Sequence, residues 1–286
     1  MTALRWRSLL FVPSHVERFV ARAHERGADG IILDLEDAVP AAEKAGARER
    51  LAASVASVGR NGVAAMVRAN HGLRDLARDL EAAVVPGLAA IVLPKVEDAG
   101  FVREVADAID GLEAERGIAP GTVRLVLQVE TPAAMFALPA IAGAHPRVAA
   151  MTLGPEDYVA ALGAVSEPEV LFQPSYAVLL AARAAGILPL GFVGSLANTT
   201  DLAALSAQAQ QARRLGFRGA MIVHPAQVAI LNEAFTPTAD EIAWAKRVVE
   251  AGAKARAEGR GAFMVDGRMA DPPVVRRAED ILARAG

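Results

Sequence analysis

Eight times over, the chain alternates a short apolar run rich in β-branched residues with a longer, alanine-rich amphipathic stretch. The runs fall at Leu9 to Pro13, Gly30 to Leu35, Ala64 to Arg68, Ala89 to Pro94, Val123 to Val129, Val148 to Leu153, Leu188 to Val193 and Ala220 to Val223. Helical patterns near 15–26, 41–57, 73–84, 98–116, 132–143, 172–186, 200–215 and 226–234 lie between or after them. A strand that is apolar without alternation is buried on both faces, as in a parallel sheet wrapped by helices. Eight strand–helix pairs therefore predict an α/β fold, a closed (β/α)8 TIM barrel. An open doubly wound sheet is disfavoured, because no Gly-x-Gly-x-x-Gly turn follows the first strand. No low-complexity linker splits the chain, so 1–235 reads as one TIM-barrel catalytic domain and 236–286 as a C-terminal helical extension. In the extension, Thr238 to Glu258 reads as a long helix capped by Thr238, and a short helix follows Pro273.

With 286 residues, 53% of them hydrophobic, the chain has enough apolar surface to build such a core. Lys and Arg total 30 against 33 Asp and Glu, a formal charge of -3, so no overall field draws nucleic acid or an anionic membrane. Neither is expected as a partner. The absence of cysteine excludes disulfides, thiolate nucleophiles and Cys-ligated metal centres. The first residues run into a strand with no signal-like or spanning stretch, giving the expectation of a soluble, unexported, cytoplasmic protein.

In a parallel barrel the carboxyl ends of the strands converge on one mouth. Here those ends are polar: Asp34, Glu36 and Asp37; Arg68 and Asn70; Lys95; Glu130; Glu156 and Asp157; His224. A hard divalent cation needs only one or two protein carboxylates plus substrate oxygens and water, which makes Glu130 and Asp157 candidate ligands of a magnesium ion. They could equally cap helices beginning at Thr131 and Tyr158, and spacing alone does not choose. Arg68 reads as a bidentate anion holder, with a structural pair to Asp34 or Glu36 as the other reading. Asp34, Glu36 and Asp37 are expected to be structural, partnered by Lys44, Arg48 or Lys95. A Schiff-base role for Lys95 needs a lowered pKa, which its acidic neighbours oppose. His224 is expected to be a hydrogen-bonded packing residue. Arg18 and Arg22, four apart, would share a helix face able to hold a phosphate, but with Glu17 and Glu25 nearby spacing alone favours a solvated face.

These motifs resemble those of the citrate lyase beta subunit, HpcH/HpaI aldolase and malyl-CoA lyase family over nearly the whole chain. They are Arg7-Ser-Leu-Leu-Phe-Val-Pro13, Ala28-Asp-Gly-Ile-Ile-Leu-Asp-Leu-Glu-Asp-Ala-Val39, Val67-Arg-Ala-Asn70, Leu93-Pro-Lys-Val-Glu97, Gln128-Val-Glu-Thr131, Gly154-Pro-Glu-Asp157 and His224-Pro-Ala-Gln227, with a tail Asp266-Gly-Arg-Met-Ala-Asp271-Pro-Pro. The resemblance implies a Mg2+-dependent barrel, with Mn2+ as a possible substitute, in which Glu130 and Asp157 bind the ion. Glu130 would thereby also contact the substrate, and Arg68 would grip a 2-oxo acid. It further implies that Asp271 moves a proton on the acyl carbon in a neighbouring subunit's active site, that Arg18 and Arg22 meet coenzyme A, and that the protein is a homotrimer or homohexamer.

The implied reaction is reversible carbon-carbon cleavage of a malyl-, methylmalyl-, citramalyl- or citryl-CoA-like 3-hydroxyacyl-CoA thioester into an acyl-CoA and a 2-oxo acid. The alternatives are a metal-dependent aldolase acting on free hydroxy-oxo acids and a citrate lyase subunit that needs an acyl carrier. The chain departs from many relatives at Gln173-Pro-Ser-Tyr176, at Leu190-Gly191 and at Ala220, on the substrate side of the mouth.

Overall fold

The computed structural model describes residues 4–195 and 200–285. Two compact units emerge, Trp6–Ala234 and Phe235–Gly286 together with Met1–Arg5. In the first, eight strands run β1 (Ser8–Pro13), β2 (Gly30–Asp34), β3 (Ala64–Arg68), β4 (Leu88–Leu93), β5 (Arg124–Val129), β6 (Val148–Leu153), β7 (Leu188–Leu190) and β8 (Ala220–Ile222). All seven neighbouring pairs are parallel, in the order β7-β6-β5-β4-β3-β2-β1-β8. A bridge between Leu190 and Gly219 brings the two ends of the sheet together, with Gly191 N donating to Gly219 O at 2.8 Å. Gly219 must be glycine, because a Cβ there would collide with the Trp6 carbonyl.

The interior of this barrel is one apolar cluster to which every strand contributes: Leu9, Ile32, Met66, Val92, Val126, Ala150, Leu190 and Met221. The continuous apolar runs are thus buried on both faces, by each other within and by helices without. Strands β7 and β8 are shorter than their apolar runs. Gly191 (φ 128°) and Gly194 (φ 155°) take the chain after β7 out of extended geometry.

The helices around the barrel are α1 (Glu17–Val20), α2 (Lys44–Glu49), α3 (Leu51–Val58), α4 (Leu73–Ala83), α5 (Ala99–Glu115), α6 (Pro132–Met135), α7 (Leu138–Ala142), α8 (Pro155–Leu162), α9 (Pro168–Ala184), α10 (Leu202–Leu215) and α11 (Val228–Phe235). Three of the expected helices are broken. The 15–26 pattern ends as a helix at Val20 and resumes as a 3-10 turn, 41–57 becomes a 3-10 turn and two helices, and 132–143 divides in two ahead of Pro139. Helix α8, weighed from the sequence as a helix beginning at Tyr158, starts three residues earlier, with Pro155 in its first turn, acidic Glu156 and Asp157, and the left-handed Gly163 (φ 71°) after it as ordinary start and stop signals. Among the described residues, no helix is long and apolar enough to cross a membrane.

The second unit is built on α12 (Ala239–Ala257) and α13 (Pro272–Ala285), with an antiparallel hairpin of β9 (Phe263–Val265) and β10 (Arg268–Ala270) between them. Thr238 caps α12 as the sequence implies, with a reciprocal bond from Thr238 N to Glu241 Oε2 at 2.8 Å. The hairpin was not anticipated. Its turn is Asp266-Gly267, both at positive φ (49° and 75°), the dipeptide that suits a two-residue hairpin loop. Val248, Ala255, Phe263, Val275, Ala278 and Ile281 form this unit's own core.

At the amino-terminal side of the barrel, Arg147, just ahead of β6, is 3% exposed and Glu113 near the end of α5 is 1% exposed. Arg147 Nη1 donates to Glu113 Oε1 at 2.9 Å and to the Val123 carbonyl at 2.8 Å. Glu113 in turn accepts from Val123 N and Gly121 N, so one buried pair ties α5 to the starts of β5 and β6. Truncating Arg147 to Ala would strand a buried carboxylate and is expected to cost about 3–5 kcal/mol. The urea midpoint of Arg147→Ala, compared with that of the double variant Arg147→Met/Glu113→Leu, measures this. The double variant should recover most of the loss.

Candidate active site

Asp34 and Arg68, the last residues of β2 and β3, are partners in the strand register and so stand side by side at the barrel mouth. Arg68 Nε donates to Asp34 Oδ1 at 2.7 Å and Nη2 to Oδ2 at 2.6 Å, a bidentate fork. The same carboxylate accepts from Glu36 N and Ala38 N, which fixes the loop after β2. The remaining nitrogen, Nη1, lies 3.2 Å from Glu36 Oε2 and 3.6 Å from Asp37 Oδ2. The guanidinium is stacked 4.7 Å over the Phe11 ring. Burial works against its charge, but the Asp34 hydrogen bonds and the charges of Asp34, Glu36 and Asp37 outweigh burial and raise its pKa. The structural pair weighed from the sequence is therefore present, and Nη1 is the edge left to an anion.

Lys95 follows β4 with a positive φ of 53°, a strained setting for a lysine. Its twist points the backbone N–H at Glu130 Oε2, 3.0 Å away, while Nζ reaches Glu36 Oε1 at 2.9 Å. Burial opposes its charge, and Glu36, Asp37 and Asp157 more than restore it, so its pKa is raised. A Schiff-base lysine needs the opposite shift, which removes that reading. The expected partners of the acidic triad also change. Arg48 pairs with Asp75 and Asp79, Lys44 binds Asn70, and the triad is held by Arg68 and Lys95.

Glu130 follows β5 and is 2% exposed. Its Oε1 accepts from Gln128 Nε2 at 3.1 Å. It does not cap the next helix, because the Thr131 hydroxyl accepts from Ala134 N there. Asp157 lies within the first turn of α8, whose cap residue is Gly154, so it is no cap either. The two acids instead face one another's charge. Burial, then the neighbouring carboxylates Glu36 and Asp157, push the Glu130 carboxyl up to about 8, with Lys95 and Arg68 opposing. Glu36 is likewise raised, first by burial, and its Oε2 is buried without a hydrogen bond. Hard oxygen donors crowded together and short of positive charge fit a divalent cation.

Other sequence candidates fall elsewhere. Because α1 ends at Val20, Arg18 and Arg22 do not share the face of one helix, which corrects that expectation: Arg18 stacks on Phe19 and Arg22 pairs with Glu25 at 2.9 Å. His224 is hydrogen-bonded as expected but is exposed rather than packed: its side chain accepts from Ala226 N and its own N–H donates to Gln227 Oε1, a reciprocal cap. In the second unit, Asp271 accepts from Val274 N at the start of α13.

Three residues at the mouth escaped the sequence reading. Gln128 orients Glu130, and its position two residues earlier on the same strand face was the available signal. Gly154 leaves the space that the Glu130 side chain fills, since a Cβ there would collide with it. Phe11 carries Arg68, which only the folded register of β1, β2 and β3 reveals.

Known proteins match this arrangement. A family model described as HpcH/HpaI aldolase/citrate lyase matches residues 7–225. The citrate lyase subunit beta of Haemophilus influenzae is 33% identical over 98% of this chain and 96% of its own length. A (3S)-malyl-CoA thioesterase of Cereibacter sphaeroides is 34% identical over 98% of this chain and 94% of its own. Among solved structures, CitE from Mycobacterium tuberculosis in complex with magnesium, acetoacetate and coenzyme A superposes with a TM-score of 0.73 at 33% identity, covering 98% of this chain and 97% of that one. With motifs, barrel and mouth all in agreement, the chain belongs to the HpcH/HpaI aldolase/citrate lyase family.

Proposed function

We propose that the protein is a Mg2+-dependent lyase that reversibly cleaves a 3-hydroxyacyl-CoA thioester, of the malyl-, methylmalyl-, citramalyl- or citryl-CoA kind, into an acyl-CoA and a 2-oxo acid. Carbon-carbon lyase chemistry is that of the citrate lyase beta subunits to which the chain is related. The observation that carries the reading is the buried Glu130 carboxyl, pushed up to about 8 between Glu36 and Asp157 at the mouth of the barrel. Such a donor set is relieved by a cation, and a structural neighbour holds magnesium beside acetoacetate and coenzyme A.

Glu130 and Asp157 would hold the ion, with Glu36 close by. When bound, magnesium supplies Lewis-acid polarisation of the 2-oxo acid carbonyl. Lys95 N and Gln128 Nε2 orient Glu130 through one oxygen each, which leaves further lone pairs for coordination. Asp34 holds two edges of Arg68, so that Nη1 can exchange Glu36 for a substrate oxygen and stabilise the oxyanion that develops on cleavage. As the Cα–Cβ bond breaks, the 3-hydroxyl gives up its proton to become the 2-oxo carbonyl, and one proton is returned to the α carbon of the departing acyl-CoA enolate. We assign the delivery at the α carbon to Asp271 of a neighbouring subunit, which makes the protein a homo-oligomer, a trimer or hexamer. Arg18 and Arg22, both exposed, remain the coenzyme A contacts of this reading, now as two separate side chains.

The direct test is release of a 2-oxo acid, trapped as a hydrazone, from malyl-, methylmalyl-, citramalyl- and citryl-CoA with magnesium and with EDTA. Metal-dependent release from one ester, without release of free thiol, is expected, and Glu130→Ala should lower it at least ~10²-fold. Free thiol in place of acyl-CoA would mark a thioesterase. Full activity of Glu130→Ala would overturn the metal site, and activity on free hydroxy-oxo acids alone would remove coenzyme A from the scheme.

If Asp271 serves a neighbour, two inactive variants should rescue each other. Glu130→Ala subunits supply Asp271, Asp271→Asn subunits supply Glu130, and co-assembled hybrids should regain up to about a quarter of the wild-type rate, in line with the fraction of complete sites. Mixtures with no more activity than either variant would place Asp271 outside the site.

Glu130 also sets a pH dependence. With its carboxyl pushed up to about 8, it holds a proton at pH 7 in the metal-free protein, and the cation must displace it. Titration calorimetry in buffers of different ionisation enthalpy should show release of about one proton per ion at pH 7, with affinity rising about tenfold per pH unit up to 8. The folded-state pKa lies above the unfolded one, so this group's contribution to the stability of the metal-free protein is present below the ordinary carboxylate range and lost as pH rises toward 8. Glu130→Gln should abolish the proton release.

A further inference from the structure

Beside the carboxylates, the barrel mouth holds a pocket to which the lyase scheme assigns nothing. Phe11, Gln128, Thr152, Leu190, Phe192 and Met221 line it, together with Gly154 and Ser175. It adjoins the site through three of these residues: Arg68 stacks on Phe11, Gln128 holds Glu130, and Gly154 makes room for Glu130. We infer that this pocket receives the carbon substituent of the 2-oxo acid and selects a short uncharged alkyl group over a second carboxylate. The inference rests on the lyase reading above and names its substrate class.

Charge is the first reason. No charged side chain lines the pocket among the described residues, and the sequence from Ile187 to Thr200 carries none at all. Arg68, which touches the wall at Phe11, has Nε and Nη2 committed to Asp34, and its Nη1 is the edge that the scheme above gives to the reacting substrate oxygen, so none is left over for a second carboxylate. At the rim, Glu156 accepts a hydrogen bond from Ser195 and adds negative charge beside Pro155 and Gly194 of the wall. A carboxylate placed here would be desolvated without a cation, which is strongly unfavourable.

The polar atoms of the lining point the same way. Thr152 Oγ1 donates to the Leu153 carbonyl, and Gln128 Nε2 donates to Glu130. What Gln128 leaves over is Oε1, a buried acceptor with no hydrogen bond, which repels another oxygen anion. The Ser175 hydroxyl, 3% exposed, is a neutral donor and does not balance a charge. Leu190, Phe192 and Met221 supply apolar surface instead.

Size is the second reason. The cavity measures ≈ 40 Å³ at the centres of water-sized groups. A single water-sized group needs ~10–15 Å³ on this measure, so the cavity is narrow and favours a short substituent. A methyl, ethyl or propyl substituent fits, as in pyruvate, 2-oxobutyrate and 2-oxopentanoate.

The test is calorimetric binding of pyruvate, 2-oxobutyrate, oxaloacetate and 2-oxoglutarate to the magnesium-loaded wild-type protein. Pyruvate and 2-oxobutyrate should bind at least about tenfold more tightly than either dicarboxylate. Met221→Ala, checked for folding by its thermal transition, should shift the preference toward 2-oxohexanoate by about tenfold, the worth of a methylene in an apolar pocket. Oxaloacetate binding as tight as pyruvate would overturn the subsite and leave the lyase reading standing. A folded Met221→Ala with unchanged chain-length preference would overturn its placement. Binding of none of the four acids would overturn the lyase reading and the subsite together.

Discussion

The mouth of this barrel is governed by a deficit of positive charge. Asp34, Glu36, Asp37, Glu130 and Asp157 converge there, and Arg68 and Lys95 are the cations that meet them. The two cations are not spread evenly. Asp34 takes two edges of Arg68, Glu36 takes the ammonium of Lys95, and Glu130 receives only neutral donors, the Lys95 backbone N–H and the Gln128 amide. Glu130 is therefore the carboxyl whose charge is most costly, and its pKa is pushed up to about 8. The deficit is not a packing fault. Its sign and donor chemistry are those that a hard dication would relieve, and Lys95 meets it from a strained backbone at φ 53°.

Most of the barrel could be read in the sequence because a strand buried on both faces leaves an unmistakable apolar run, and seven of the eight runs match their strands to within a residue. The other, β7, contracts to three residues where Gly191 and Gly194 take positive φ, a fact of backbone geometry that hydropathy does not encode. Helix breaks were less legible. Arg18 and Arg22 are four apart, yet α1 stops between them, so periodicity gave a common face that the fold does not build. By contrast α8 and the Asp266-Gly267 hairpin carry clear local signals, Pro155 and Gly163 bounding the one and an Asp-Gly turn the other.

The polar ring itself was legible as a list and not as a set of pairings. Spacing placed Asp34, Arg68, Lys95 and Glu130 at strand ends, because strand ends are local. It offered Asp34 or Glu36 to Arg68, and Lys44, Arg48 or Lys95 to the acids, but could not choose among them, because the choice depends on how neighbouring strands register. The same limit hid Gln128 and Phe11, which look like ordinary strand residues until one holds Glu130 and the other carries Arg68. Sequence thus located the chemistry, and tertiary pairing decided which groups are already spoken for.

That division also bears on where the mouth can change without loss of the fold. The charged side of the mouth, from β2 to β6, is cross-braced: each acid there that is buried meets a cation or a neutral donor, and changing one perturbs the others. On the opposite side, β7, β8 and the turn after β7 contribute an uncharged wall whose members make few polar bonds to the brace. Substitution in that wall alters shape at the cost of apolar contacts alone, on the order of a kcal/mol per methylene, whereas substitution in the brace exposes a buried charge and costs several. The wall is therefore the side of the mouth that tolerates change while the charged side stays fixed, and the chain's own departures at Leu190-Gly191 and at Ser175 of Gln173-Pro-Ser-Tyr176 are found there.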